Sequence, residues 1–167
     1  MEQPTTSQRL GTIPSLYDMQ TTFYISALEG ISDTDAHSRF DTRANHIAWL
    51  AGNLVQQRYE LSELLDRSGK PYHQKANELF KNNQGIKENF AYPPLEQFRE
   101  DWKEISPVLR KLLMIASDEQ LDNQLKMGSH TFPVFEMITF TSYREANMIG
   151  QIALWRRLLG YDPMKYM

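Results

Sequence analysis

Apolar residues recur at intervals of three and four along four long stretches of this chain, a period that commits each stretch to a helix packed through one face. The first covers about Ile13 to Ile31, with Leu16, Tyr17, Phe23, Tyr24, Ala27 and Leu28 in phase and no two-residue alternation. Pro14 falls in its first turn, where a missing N–H costs least, and Gly30 weakens its far end. The second, about Arg43 to Arg67, carries Ile47, Leu50, Leu54, Leu61 and Leu65. Asp41 or Thr42 is placed to cap it, and Gly69 followed by Pro71 stops it. The third begins at Pro93-Pro94 and continues through Leu95, Phe98, Trp102, Ile105, Leu109, Leu112 and Ala116. Pro107 lies inside it and predicts a kink near Lys103. The fourth starts near Thr131 and Pro133 and ends at Gly160, with Met137, Phe140, Ile149, Ile152, Leu154, Trp155 and Leu158 as its apolar surface. Leucine outnumbers valine by eighteen to three, which favours helix over strand throughout.

Between the second and third stretches, Lys70 to Pro94 reads as a polar connection with a short helix near Lys75 to Phe80. It is longer than neighbouring antiparallel helices need, so a crossover is expected there. Ile31-Ser32-Asp33 and Ala116-Ser117-Asp118 echo one another, and each serine suits a local cap. The expected fold is all-α: a four-helix bundle with a long crossover between helices two and three. Residues 1–11 are expected to form a flexible N-terminus and residues 12–167 a single domain.

Composition narrows the function classes. Cysteine is absent, so disulfides, thiolate metal sites and cysteine nucleophiles are excluded. The formal net charge of -3 makes nucleic acid an unexpected partner. No apolar run approaches the roughly 20 residues that span a bilayer, so no membrane partner is expected either. The polar start, Met1 to Gly11, lacks the apolar core of a signal peptide, and a cytoplasmic location is expected. The chain has no Gly-rich phosphate loop, no dinucleotide fingerprint and no serine in a nucleophile-elbow context.

Asn45-His46-Ile47-Ala48-Trp49-Leu50-Ala51-Gly52-Asn53-Leu54 resembles the second-helix motif of the DinB-like (YfiT-type) family. The stretch from Arg144 to Gly160, with Gly150-Gln151-Ile152 and then Arg156-Arg157-Leu158-Leu159-Gly160, resembles that family's last helix more closely. The resemblance implies a four-helix bundle with a long crossover, often dimeric. It also implies a divalent metal held by three histidines, with thiol-dependent transferase, isomerase or metal-dependent hydrolase chemistry. One histidine would follow the glycine of Trp49-x-x-Gly52, and two more, spaced i and i+4, would precede Gly150-Gln151. Such a pair lies one turn apart on a single helix face, and a third ligand from a facing helix completes an open site.

This chain departs from the pattern at all three positions, which hold Asn53, Arg144 and Met148. A guanidinium repels a cation, a thioether is too soft for zinc or manganese, and a lone carboxamide oxygen is weak. No metal and no cofactor are therefore expected. The four histidines, His37, His46, His73 and His130, show no helical ligand spacing. His46 lies two turns before Asn53, either approaching the same interior pocket or serving as a helix-start residue. Arg144, if inward, needs a carboxylate or a bound anion, and Glu60, two turns after Asn53, is a candidate; the alternative is that it reaches solvent. Gln151, one turn after Met148, could line the pocket by spacing. The tryptophans at 49, 102 and 155 read as core. The pocket candidates are thus His46, Asn53, Glu60, Arg144, Met148 and Gln151, with no residue assigned to catalysis. The expected function is binding of a small molecule or partner without metal chemistry. The alternatives are a metal-independent, thiol-dependent transferase-like enzyme and a structural homodimer with a vestigial pocket. A homodimer is expected in any case.

Overall fold

Each of the four periodic stretches forms a long helix in the structure, a computed structural model that describes residues 6–166. These are α1 (Ile13–Leu28), α3 (Ile47–Leu65), α5 (Leu95–Ile115) and α7 (Val134–Leu158), with one-turn helices α2 (Asp33–Ala36), α4 (Asn77–Phe80) and α6 (Asp118–Asp122) in the connections. The chain is mostly helical, with one antiparallel hairpin of β1 (Gln124–Met127) and β2 (His130–Pro133). α1 and α3 each pack against both α5 and α7. No helix among the described residues is long and apolar enough to cross a membrane.

Two apolar clusters fill the interior. One gathers Tyr24, Leu50, Leu54, Phe98, Trp102, Ile152 and Trp155; the other gathers Leu10, Tyr17, Leu61, Leu65, Leu109, Leu113 and Ile138. Full burial of each such side chain contributes roughly 1.5–3 kcal/mol. A polar layer separates them along every long helix: Thr21, Arg58, Ser106 and Glu145. Arg58 and Glu145 are fully buried and form a bidentate ion pair, Nε to Oε1 and Nη2 to Oε2, both 2.8 Å. The remaining Arg58 N–H groups reach Thr21 Oγ1 and Ser106 Oγ at 2.7 Å and the Tyr17 carbonyl at 3.2 Å. All five guanidinium donors are therefore used. The same group lies 3.6 Å from the Trp102 ring centre, and Trp102 stacks on Tyr24.

The local caps follow the sequence. Ser32 and Ser117 accept from the backbone N–H groups of Asp35 and Gln120 and open α2 and α6. The last carbonyls of α1 receive guanidinium N–H groups from Arg99, at Leu28, and from Arg156, at Ala27 and Glu29. Helix α5 continues through Pro107 as one element.

Three expectations are corrected. The second long helix starts at Ile47, not Arg43, and neither Asp41 nor Thr42 caps it. Asp41 sits at a positive φ of 56° and the Thr42 hydroxyl bonds Arg39, so both belong to a turn, and His46 supplies the cap. The fourth helix starts after Pro133, because 130–133 pairs as β2. Gly128, at φ 61°, leads the two-residue turn that joins the strands. The crossover is less polar than expected: Phe80 and Tyr92 are buried in the core as anchors. Residues 1–5 of the expected flexible N-terminus lie outside the described residues. Within 6–11, Thr6 pairs with Ser117, the Ser7 N–H donates to the Ala116 carbonyl at 2.8 Å, and Leu10 is buried.

Candidate functional site

Helices α3 and α7 face each other with polar side chains at matching heights. On α3, Asn53, Gln57, Glu60, Leu61 and Leu64 follow at intervals of three, four and one, which places them along one face. On α7, Met137, Phe140, Thr141 and Arg144 do the same. The hairpin closes the third side with Met127, His130 and Phe132. Together they bound an open groove of about 950 Å³ whose walls are mainly apolar.

Arg144 stands at one end. Its Nη2 donates to Asn53 Oδ1 at 2.7 Å and its Nη1 to Gln57 Oε1 at 3.0 Å. Gln57 spends its own Nε2–H on the Thr141 carbonyl at 3.0 Å, which fixes its oxygen toward the guanidinium. Asn53 and Gln57 are buried, while Arg144 is half-buried. Burial pulls the Arg144 pKa down from its ordinary value, and the charge of Glu60 acts against that. Glu60 itself is exposed and accepts from Gln56 Nε2 at 3.0 Å. It forms no ion pair with Arg144; among the described residues, no carboxylate does.

The structure thus brings Asn53 and Arg144 into contact, with Glu60 at longer range, and places His46 and Gln151 elsewhere. Met148, one turn after Arg144, is buried in the apolar cluster that includes Trp49 and Ile152. Gln151 is exposed and donates to Asn147 Oδ1 at 2.8 Å, one turn back on the solvent side of α7. His46 caps α3: its Nδ1 accepts from the Trp49 N–H at 3.0 Å, and its ring packs beside those of His37 and Tyr92. Its burial among these groups pushes its pKa down to about 4.

A divalent metal does not fit Asn53, Arg144 and Met148, the three positions where the resemblance leads one to expect histidines. The Asn53 oxygen already accepts from a cation, Arg144 is that cation, and the Met148 sulfur lies in the apolar core. Among the described residues, no three His, Asp or Glu side chains group as a metal site.

No protein-family model matches the chain, and no curated protein matches it.

Two parts of the groove escaped the sequence reading. Gln57 lies one turn after Asn53 and could have been found by the same i+4 rule that pairs Arg144 with Met148. The hairpin was signalled by Gly128-Ser129 between Leu125 and Phe132, a two-residue turn with glycine first.

Proposed function

We propose that the chain is a DinB-like four-helix bundle whose metal-ligand positions have been replaced, and that it binds a small molecule in the groove between α3, α7 and the hairpin. The observation that carries this is a positioned guanidinium at the end of a wide apolar groove. Binding sites of this kind combine apolar walls with a few oriented polar groups. The polar groups around Arg144 are suited to holding a ligand rather than transforming one. Asn53 and Gln57 are carboxamides, and the Thr141 hydroxyl is engaged with Tyr17 and the Met137 and Ile138 carbonyls. A thiol-dependent transferase would need a reactive group beside the guanidinium, and His46, the one histidine among the pocket candidates, is committed to capping α3.

The test is a thermal-shift screen of small organic molecules against the native chain and an Leu64→Asp variant. Ligands that raise Tm in the first and fail in the second support the groove. A screen in which no ligand distinguishes the two counts against it. Elemental analysis of protein purified without chelator should find transition metal well below one equivalent.

A homodimer is a second reading, favoured by one feature. Phe140, Tyr143, Leu154 and Leu158 leave an exposed apolar stripe along α7. Sedimentation of Leu154→Glu, Leu158→Glu protein tests it: a native dimer should become monomeric.

A further inference from the structure

Building on the groove proposed above, we infer that the ligand is an organic monocarboxylate with an apolar body, its carboxylate docked on Arg144. The well-covered arginines of this protein follow a rule. Arg39 pairs with Glu88, Arg58 with Glu145 and Arg99 with Glu96, while Arg156 is surrounded by the backbone carbonyls of Ala27, Glu29 and Asp162. Arg156 lacks a carboxylate, but its carbonyl partners at Ala27 and Glu29 stand at the negative C-terminal end of α1, whereas among the described residues Arg144 has neither a carboxylate nor a helix terminus beside it. It is half-buried, yet its two partners are neutral carboxamides. A partly desolvated cation without an anion is unfavourable, so the groove is preorganised for one.

The shape of the donor set fixes the kind of anion. Asn53 and Gln57 take one N–H from each terminal nitrogen and hold the guanidinium in one orientation. Three of its N–H groups have no partner among the described residues, and a planar guanidinium is the side chain suited to the two oxygens of a carboxylate. The remaining charged residues of the groove, Glu60 and Glu136, are acidic and exposed. They penalise a dianion such as a phosphate monoester more than a single carboxylate. Leu61, Leu64, Met127, Phe132, Met137 and Phe140 supply the walls for an apolar body. A neutral ligand would leave the guanidinium as it stands, and an amine would be repelled by it.

Isothermal calorimetry with octanoate, octanol and octylamine separates these possibilities. The native chain should bind octanoate at least about tenfold more tightly than octanol or octylamine, with an affinity that falls as salt rises. Arg144→Met should abolish the preference for octanoate while retaining octanol, which also shows that the variant is folded. Arg144→Lys, which keeps the charge but loses the fork, should retain part of the preference. Leu64→Asp should weaken all binding. Octanol or octylamine binding as tightly as octanoate, or octanoate binding undisturbed in Arg144→Met, overturns the carboxylate assignment and leaves the groove in place. Binding that ignores Leu64→Asp, or no binding of any of the three probes, overturns both.

Discussion

Adjacent residues on α7, Arg144 and Glu145, point to different partners about 100° apart around the helix, and Gln57 on α3 reaches both of them. Turned inward, Arg58 and Glu145 meet in the dry centre, with every guanidinium donor used by the three other long helices. Turned toward the groove, Arg144 meets Gln57 and Asn53, keeps donors free and has no carboxylate of its own. The chemistry of the two arginines is the same; what differs is whether the fold completes the pairing. A completed pair fixes the register of the helices, and an incomplete one is available to something outside the chain. The largest effect expected from breaking this contrast is at the completed pair. Glu145→Ala strands a fully buried cation and should cost about 3–5 kcal/mol in urea unfolding. Arg58→Met combined with Glu145→Leu should recover most of that loss, because no buried charge is then left unpaired. A double variant as unstable as the single one would mean that Thr21, Ser106 and Tyr17 depend on the guanidinium more than the carboxylate does.

Acid offers a second way to sharpen the distinction between closed and open polar sites. His46 is buried, and its pKa falls from 6.5 to about 4 in the folded chain. Desolvation is the main cause, with His37 and Arg39 adding to it and Glu88 opposing it. The folded imidazole binds a proton less readily than the unfolded one. Its contribution is therefore complete above pH 6.5 and is lost as pH falls toward 4. A shift of this size corresponds to about 3 kcal/mol. Protonation also removes the lone pair that accepts from Trp49, and with it the α3 cap. His46→Asn keeps a capping oxygen and cannot titrate, so its stability should vary less between about pH 7 and about pH 4.5 than that of the native chain.

Steric tolerance divides the molecule along the same line. Gly52 lies on α3 where an added Cβ would come within 2.2 Å of Phe80 and 2.8 Å of Phe98. Gly52→Ala must displace the buried crossover anchor and should cost about 1–3 kcal/mol. Gly150, on the exposed side of α7, has open space where its Cβ would be. Gly150→Ala should stabilise by about 0.5–1 kcal/mol through helix propensity alone. Comparing the two melting temperatures tests whether the dry interface is as closely packed as Phe80 implies.

The helices were legible because each buries one face, and a period of 3.6 leaves a readable trace in Leu, Ile and Trp. The crossover was found by length alone, since Phe80 and Tyr92 are isolated anchors with no period to reveal them. The hairpin was folded into the fourth helix because its strands are only four residues each, too short for alternation to stand out against Pro133. At the site, the i, i+4 and i+7 rules located which residues share a face, yet could not choose between the two sides of a helix packed on both. Gln151 was therefore placed with Arg144 although it belongs to solvent, while Met148 shares the Arg144 face but is buried in the core. Arg58 and Glu145 were the more costly omission. Charged residues within an apolar stripe read individually as surface, and only the packing of α3 against α7 makes them partners.

The smallest change in stability is expected at the incomplete site. Arg144→Met removes the donors to Asn53 and Gln57, whose oxygens are buried and would lose about 1–3 kcal/mol if left without partners. Two effects offset this. The groove is open, so water can enter to satisfy both oxygens, and a half-buried charge without an anion is removed. The net change should fall within about 1 kcal/mol, far from the cost of Glu145→Ala one residue further along α7. A loss comparable to that of Glu145→Ala would show that Arg144 holds α3 to α7 as a structural clamp. The contrast between a guanidinium spent on folding and one kept for a ligand would then disappear.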